Sequence, residues 1–458
     1  MNPQAPLHPE TRDDLRQETT HTRVYSLSMT TRLLPRITLI TALLIPALMP
    51  HEAQAWGQPH LAITKAALDT LPSWQKDLLG PEFKDLSAKH CLIPDNVYTD
   101  KENAKYAAME SSPGEVYLQK LHLPQAEQTV NRESLRYFME KAVTSFKAGK
   151  VNEAARYMGT ICHVLEDFGS PSHTIPGDNQ FTLLQQFMPS TTVMEGKLLH
   201  GPIENGDFTV SIEGYQPRLL GTSIEEASWR LLHRVHEGII NARSTTLPII
   251  QALYAGDDQA KLTQQLKAAT KDAQIVADAM HTILCLGADK FDAEARKACD
   301  RASISTFWPI EAVHLYYPQS HFFSSPYWGH ACSDAVMEGG AKKLPIKLRV
   351  ADAEEKTFTE GIGTGMGKAL TFHLPKSVYK RFIVLAGLQS GIGAKGRVEF
   401  TLLGDGKPLG SAIVNGGDPA HAFECDVSTV SLLQLNAVNR GLDPKSNYAV
   451  WAEPVLRK

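Results

Sequence analysis

No stretch of this 458-residue sequence is apolar for the roughly 20 residues that a membrane-spanning helix needs, which excludes a multi-span membrane protein. There is no surplus of either charge. The 46 Lys and Arg face 50 Asp and Glu, a formal net charge of −4, so bulk electrostatics do not advertise a binder of nucleic acid or of an anionic membrane. The six cysteines (Cys91, Cys162, Cys285, Cys299, Cys332 and Cys425) form no C-x-x-C pair. That excludes a zinc ribbon or a thioredoxin-type motif and leaves disulfide pairing open. No internal repeat, no low-complexity tract and no G-x-S-x-G elbow occurs, so solenoids and serine hydrolases of the elbow type are excluded. The glycine comb Gly361, Gly363, Gly365, Gly367 completes no G-x-G-x-x-G, and no helical pattern opens after it. What remains, with 43% hydrophobic and 21% charged residues, is an ordinary globular chain long enough for two or three domains.

Residues 29–55 combine a basic start at Arg32 and Arg36, an apolar run from Ile37 to Met49 interrupted by Pro46, and small residues at Ala53 and Ala55. That pattern predicts a secretory signal peptide cut after Ala55, a mature chain beginning at Trp56, and a secreted or periplasmic protein. Residues 1–28, polar and ahead of Met29, read as an over-extended start without structure.

From 56 to about 310 the sequence alternates amphipathic helical patterns with Pro, Gly and Asn loops. The clearest helix is expected to start at Asn152 as N-cap. It carries Ala155, Met158, Ile161, Cys162, Leu165 and Phe168 on its apolar face and stops at Gly169-Ser170-Pro171. Another is expected to open with a capping box Thr222-x-x-Glu225 and to run through Trp229, Leu232, His236 and Ile239. Beyond about 312 short runs around Leu370, Phe382, Val398 and Leu432, separated by turn residues, predict an all-β sandwich. Gly404-Asp405-Gly406 marks a hairpin within it. The expected architecture is thus a mainly α domain over 56–310 followed by an all-β sandwich over 316–458.

The segment ICHVLEDFGSPSHT carries the chemistry. His163 and Asp167 lie four apart on a helix and so project from one face, one turn apart, while His173 follows a break that lets the chain turn back. Imidazole and carboxylate together suit a borderline cation such as Zn²⁺. A second H-x₃-E pair, His200 and Glu204, follows in HGPIEN; a rival pair is His233 and Glu237. His60, His122 and Asp95 complete a set rich enough for more than one ion.

WGQPHLAI, HVLEDFGSPSH and HGPIEN, in that order, resemble the bacterial zinc-dependent phospholipase C family, which is similar in fold to the three-zinc single-strand nucleases. The resemblance implies three zinc ions in the cleft of an all-helical domain. It implies that Trp56 binds one ion through its α-amine and carbonyl, joined by His60. Asp167 would bridge that ion to a second held by Asp95, His122 and His163, and His173, His200 and Glu204 would hold the third. Such ions lower the pKa of bound water and neutralise charge on a phosphodiester, and Asp95 would serve as general base. The expected substrate is a glycerophospholipid. A single-strand nuclease or nucleotidase and a non-catalytic secreted zinc-binding protein are the alternatives, and no stable nucleic-acid partner is expected. The helix GTSIEEASWRLLHRVHE resembles the one after the last zinc pair in the family, which favours His200 and Glu204 over the rival.

The stretches GIGTGMGKALTFHL, YKRFIVLAGL, GRVEFTLLGDGKPL and YAVWAEPVL resemble the NPCBM family, a carbohydrate-binding β-sandwich attached to secreted enzymes. The resemblance implies targeting to a glycan, with a membrane surface as the rival. Domains joined in this way usually carry their own cores.

Overall fold

The computed structural model describes residues 57–458 except 98, 109–129, 174–183, 187, 189–193, 195–197, 308–330, 339–341, 352–353, 365–368 and 443–445. The expected signal peptide, Trp56 and His122 therefore lie outside the described residues.

The N-terminal part is helical. Its elements are α1 (Gly57–Asp69), α2 (Ser73–Leu79), α3 (Glu82–Ala88), α4 (Val130–Lys147), α5 (Val151–Gly169), α6 (His200–Glu204), α7 (Ile224–Ala255), α8 (Asp258–Ala288) and α9 (Ala293–Ala298). The centre is α5. Every residue from Met158 to Gly169 is buried, because α1, α4, α7 and α8 pack around it. One continuous apolar core joins Ile63 of α1, Phe138 of α4, Ile161 and Leu165 of α5, Val235 of α7 and Ile283 of α8. The predicted apolar face of α5 is thus buried in full, but the helix starts two residues earlier than expected. Lys150, not Asn152, is the N-cap, and it makes no side-chain capping bond. Packing rather than a cap side chain fixes this end.

The start of α7 differs from the expected one by a single residue. Ser223 is the N-cap and accepts from the Glu226 N–H at 3.3 Å, while Glu226 Oε2 accepts from the Thr222 N–H at 3.1 Å. The pair expected at Thr222 and Glu225 is displaced because Glu225 faces outward and accepts from the Lys376 N–H at 3.3 Å. Glu226 is the member that is fully buried.

The C-terminal part is all-β and antiparallel. A six-stranded sheet has the order β12-β9-β14-β7-β2 (His421–Asp426, Arg381–Leu388, Ala449–Arg457, Gly361–Thr364, Ala331–Ser333), with β1 (Arg301–Ser303) pairing β14 beside its second half. It faces a four-stranded sheet β11-β10-β13-β8 (Lys407–Asn415, Arg397–Gly404, Leu432–Asn439, Leu370–His373). Two short hairpins, β3-β4 (Val336–Glu338, Lys342–Leu344) and β5-β6 (Ile346–Arg349, Glu355–Phe358), are the other β elements among the described residues. Alternate residues of β10 point inward, as its sequence predicts, and Phe372, Phe382, Phe400 and Trp451 fill the space between the sheets. The β10–β11 hairpin turns at Asp405-Gly406, with φ of 48° and 77°, as the left-handed pair of a two-residue turn requires. Gly361 and Gly363 are strand residues. A Cβ on Gly363 would overlap the Ala335 carbonyl, so the glycines serve close backbone approach and not a phosphate loop.

Each part has its own apolar core, and one helical side chain bridges them. Trp229 of α7 is buried within the sandwich core, and its Nε1–H donates to the His373 carbonyl at 2.7 Å. Around it the buried Glu226 carboxylate accepts from Tyr379 Oη at 2.9 Å, Arg230 Nη2 at 3.1 Å and Lys458 Nζ at 2.7 Å. Arg230 also donates to the Cys299 and Arg301 carbonyls, both at 3.0 Å. Burial, reinforced by Glu226, pushes the Tyr379 hydroxyl well above its ordinary pKa, so it remains a donor. The boundary expected near residue 310 falls among residues outside the description. We predict that Trp229→Ala lowers stability by about 3–5 kcal/mol, read as one merged shift of helix and sandwich melting. Two separate transitions, with only the sandwich affected, would contradict this.

Candidate metal centre

The site forms where the C-terminal half of α5 meets α1, the loop after α3 and the turn that follows α5. Gly159 lets the 3-10 turn His90–Leu92 lie directly on α5, since a Cβ there would overlap the His90 carbonyl. That approach brings the Cys91 carbonyl to 2.7 Å from His163 Nδ1. With Nδ1–H donating to the carbonyl, Nε2 is the atom left for a cation once the ring is neutral, and it faces Asp95 Oδ1 at 3.4 Å and Asp167 Oδ2 at 3.3 Å. His60 of α1 stacks on His163, with ring centroids 4.1 Å apart, and directs Nε2 to within 3.6 Å of Asp167 Oδ1. His60, Asp95 and His163 thus form one compact group of donors.

His173, His200 and Glu204 form a second. Glu204 Oε1 lies 2.9 Å from both His173 Nε2 and His200 Nε2, and Ser172 donates to the same oxygen. The end of α6 is held by Gln265, whose amide donates to the Ile203 carbonyl at 2.8 Å. Asp167 links the groups, since His173 Nδ1 lies 3.9 Å from its Oδ1.

The structure therefore brings together His60, Asp95, His163, Asp167, His173, His200 and Glu204. The rival pair is not assembled as a metal group. His233 lies flat on the Phe307 ring, with centroids 3.6 Å apart, and Glu237 pairs with Arg234 and with Lys271 Nζ at 2.9 Å. All six cysteines are free and buried. A further grouping joins Glu82 and Asp85 of α3 to the buried His90 just beyond it; His90 Nε2 lies 2.9 Å from Glu82 Oε2, and Asp85 pairs with Lys89.

The electrostatics of the metal-free protein are those of carboxylates and imidazoles sharing one buried space. Burial alone would lower the His173 imidazole, but Asp167 and Glu204 outweigh it and hold it up at about 9. Burial alone would raise Glu204, but His173 and His200 bring it down to about 2. Burial likewise opposes a charge on His163, and Asp167 and Asp95 prevail and hold its pKa well above the ordinary value. The donors fit Zn²⁺ on two observations. The set is imidazole nitrogen plus carboxylate oxygen, and His60 Nε2 and Asp95 Oδ2 are buried without a hydrogen bond.

Two buried acids were missed in the sequence. Glu166 is treated below. Asp272 of α8 is buried and neither of its oxygens has a hydrogen-bond partner among the described residues. It fills the niche left by Gly169, where a Cβ would overlap Oδ1. Burial first, then the charge of Glu166, pushes its carboxyl well above the usual carboxylate range. No sequence signal separates either acid from a solvated helix face.

Residues 327–457 match the NPCBM/NEW2 domain. No curated protein matches the chain. Among solved structures, the CBM51-2 and INT domains of Clostridium perfringens ZmpB are 22% identical, covering 28% of this chain and 28% of that chain at a TM-score of 0.26. CBM51 from Clostridium perfringens GH95, in complex with methyl-galactose, is 16% identical over 34% of this chain and 99% of that chain, at 0.28. Clostridium perfringens alpha-toxin from avian strain SWCP is 12% identical over 88% of this chain and 87% of that chain, at 0.29. TM-scores this low carry no weight for the site, whose chemistry follows from its own side chains.

Two outcomes are expected here. His200→Ala should lower bound zinc by about one ion while His233→Ala leaves it unchanged, measured by elemental analysis of dialysed protein; the reverse result would move the site to His233 and Glu237. Asp272→Asn should be at least as stable as the parent near neutral pH. The folded protein holds a proton that the unfolded chain gives up, so the contribution of Asp272 is full below pH 3.8 and is lost as pH rises through its raised value. Denaturation midpoints across that range should therefore fall less steeply for the variant, and parallel curves would refute the assignment.

Proposed function

We propose that the chain is a secreted zinc-dependent phosphodiester hydrolase, most simply a phospholipase C acting on glycerophospholipids. The observation that carries this reading is Asp167, a buried carboxylate whose two oxygens face His60, His163 and His173 and so join the two donor groups. In this reading His60, Asp95, His163 and Asp167 hold one part of a zinc cluster and His173, His200 and Glu204 another. Trp56 and His122, outside the described residues, would complete a set for three ions. Zinc would supply water of lowered pKa and a positive seat for the phosphate. Closed structural zinc sites usually use four Cys or His ligands; the carboxylate-rich set and the linking Asp167 favour a hydrolytic centre over a structural one.

The residues of the chain have distinct tasks. Asp95 is the most accessible carboxylate of the first group, with its side chain 10% exposed and Oδ2 without a hydrogen bond. In this reading it takes the proton of the attacking water. Ser172 holds Glu204 Oε1 between the two imidazoles, and the Cys91 carbonyl fixes the tautomer of His163. The NPCBM/NEW2 match supports a glycan-binding role for the sandwich, which would bring the hydrolase to a glycan-bearing surface. Among the described residues no helix is long and apolar enough to cross a membrane.

The test is turnover of the zinc-loaded protein on a phosphocholine ester and on single-stranded DNA, side by side. Hydrolysis of the ester and its loss by at least about a thousandfold in Asp167→Asn are expected, since the amide keeps the shape but not the charge that both donor groups face. Cleavage of DNA alone would assign the nuclease reading, and no hydrolysis of either would leave a zinc-binding protein.

A further inference from the structure

Glu166 immediately precedes Asp167 on α5 but turns toward α1. Its Oε2 lies 2.6 Å from His60 Nδ1, and its Oε1 accepts from Thr64 Oγ1 at 2.5 Å. His60 and Thr64 are four apart on α1 and therefore stand one above the other on the same face. All three side chains are fully buried. An anionic acceptor at Nδ1 fixes the proton there, and this leaves the lone pair on Nε2, the atom 3.6 Å from Asp167 Oδ1.

The stacked partner ring shows the contrast. His163 is backed by a neutral backbone carbonyl, that of Cys91, whereas His60 is backed by a carboxylate. Either acceptor is enough to orient an imidazole. The carboxylate, being charged, makes the opposite nitrogen a stronger donor to a cation than a neutral carbonyl does. Burying a carboxylate costs far more than burying a neutral side chain, so orientation alone is a weak reason for Glu at this position. The partners of Glu166, a histidine and a threonine rather than a lysine or arginine, leave its charge to be balanced through the ring.

We propose that Glu166 is a positioning residue that raises the zinc affinity of the His60, Asp95, His163 and Asp167 group by acting through His60. The assignment rests on the zinc reading above. Glu166 itself touches neither substrate nor ion in this arrangement. Thr64 shares the role by holding the second carboxylate oxygen, so that the free rotation of the carboxyl is removed.

The experiment is a zinc titration of the full-length protein against a chromogenic chelator, comparing wild type, Glu166→Gln, His60→Ala and the double variant. Gln keeps the size of the side chain and a hydrogen bond to both neighbours, and near-UV circular dichroism of the metal-free proteins checks that folding is intact. Glu166→Gln should weaken the affected ion by about 10–100-fold, with full stoichiometry recovered at saturating zinc. In the His60→Ala background the same substitution should cause no further loss, because the two residues act as one unit. Thr64→Val should cause a smaller loss of the same kind, and it carries the test should Glu166→Gln not fold. Affinity within twofold of wild type for folded Glu166→Gln, or an equal loss with and without His60, would overturn the proposal while leaving the zinc reading in place. A wild-type protein that binds no zinc would overturn both.

Discussion

The fold is organised around a concentration of buried carboxylates that imidazoles alone do not fully compensate. Asp167, Glu166 and Glu204 are almost wholly removed from water, Asp95 is nearly so, and the ion-pair partners the structure gives them are His60, His163, His173 and His200. A protein interior tolerates such an arrangement only when each charge has a partner, and the directions of the titrations record the strain. Histidines are held charged against their burial, and Glu204 is drawn down to about 2 between two of them. A divalent cation relieves both sides together, by taking the lone pairs of the imidazoles and the charge of the carboxylates.

The surrounding structure serves this one demand. The helix α5 is buried from every side because its last turns must be held rigid from α1, α4, α7 and α8. Gly159 admits the 3-10 turn that orients His163, and Gly169 makes room for Asp272 under the end of the helix. The long α7 then runs out of this core and buries Trp229 in the sandwich, so the donor groups and the NPCBM/NEW2 domain are tied to the same rigid element. In the proposed reading, a glycan-binding module attached in this way would hold the donor groups at a set attitude to its surface, unlike one on a free linker.

Much of this was legible in the sequence. His163 and Asp167 announced themselves by helical spacing, and His173 by the Gly-Ser-Pro break that turns the chain back. The alternation around Phe382, Val398 and Leu432 and the Asp405-Gly406 turn were enough for the sandwich. Choosing His200 and Glu204 over His233 and Glu237 needed the resemblance to a family, because both pairs have the same spacing. Glu166 and Asp272 could not be recognised, since an acid on a helix reads as solvated until the packing of α1 and α8 puts it inside. Trp229 was placed on an apolar face correctly, yet nothing local says that the face belongs to the sandwich core. The two cap assignments failed by one or two residues because burial of Glu226 and packing of α5, both tertiary, outweigh local capping preferences. Trp56 and His122 fall outside the described residues, and their expected part in the centre stays with the proposal.

The central claim is that the α5 carboxylates exist to hold metal. Its most direct measurement is anomalous scattering at the zinc edge from crystals of the protein purified without chelator. The account predicts peaks between His60, Asp95, His163 and Asp167 and beside His173, His200 and Glu204. Crystals of active protein with neither peak, or with zinc only at His233 and Glu237, would contradict it.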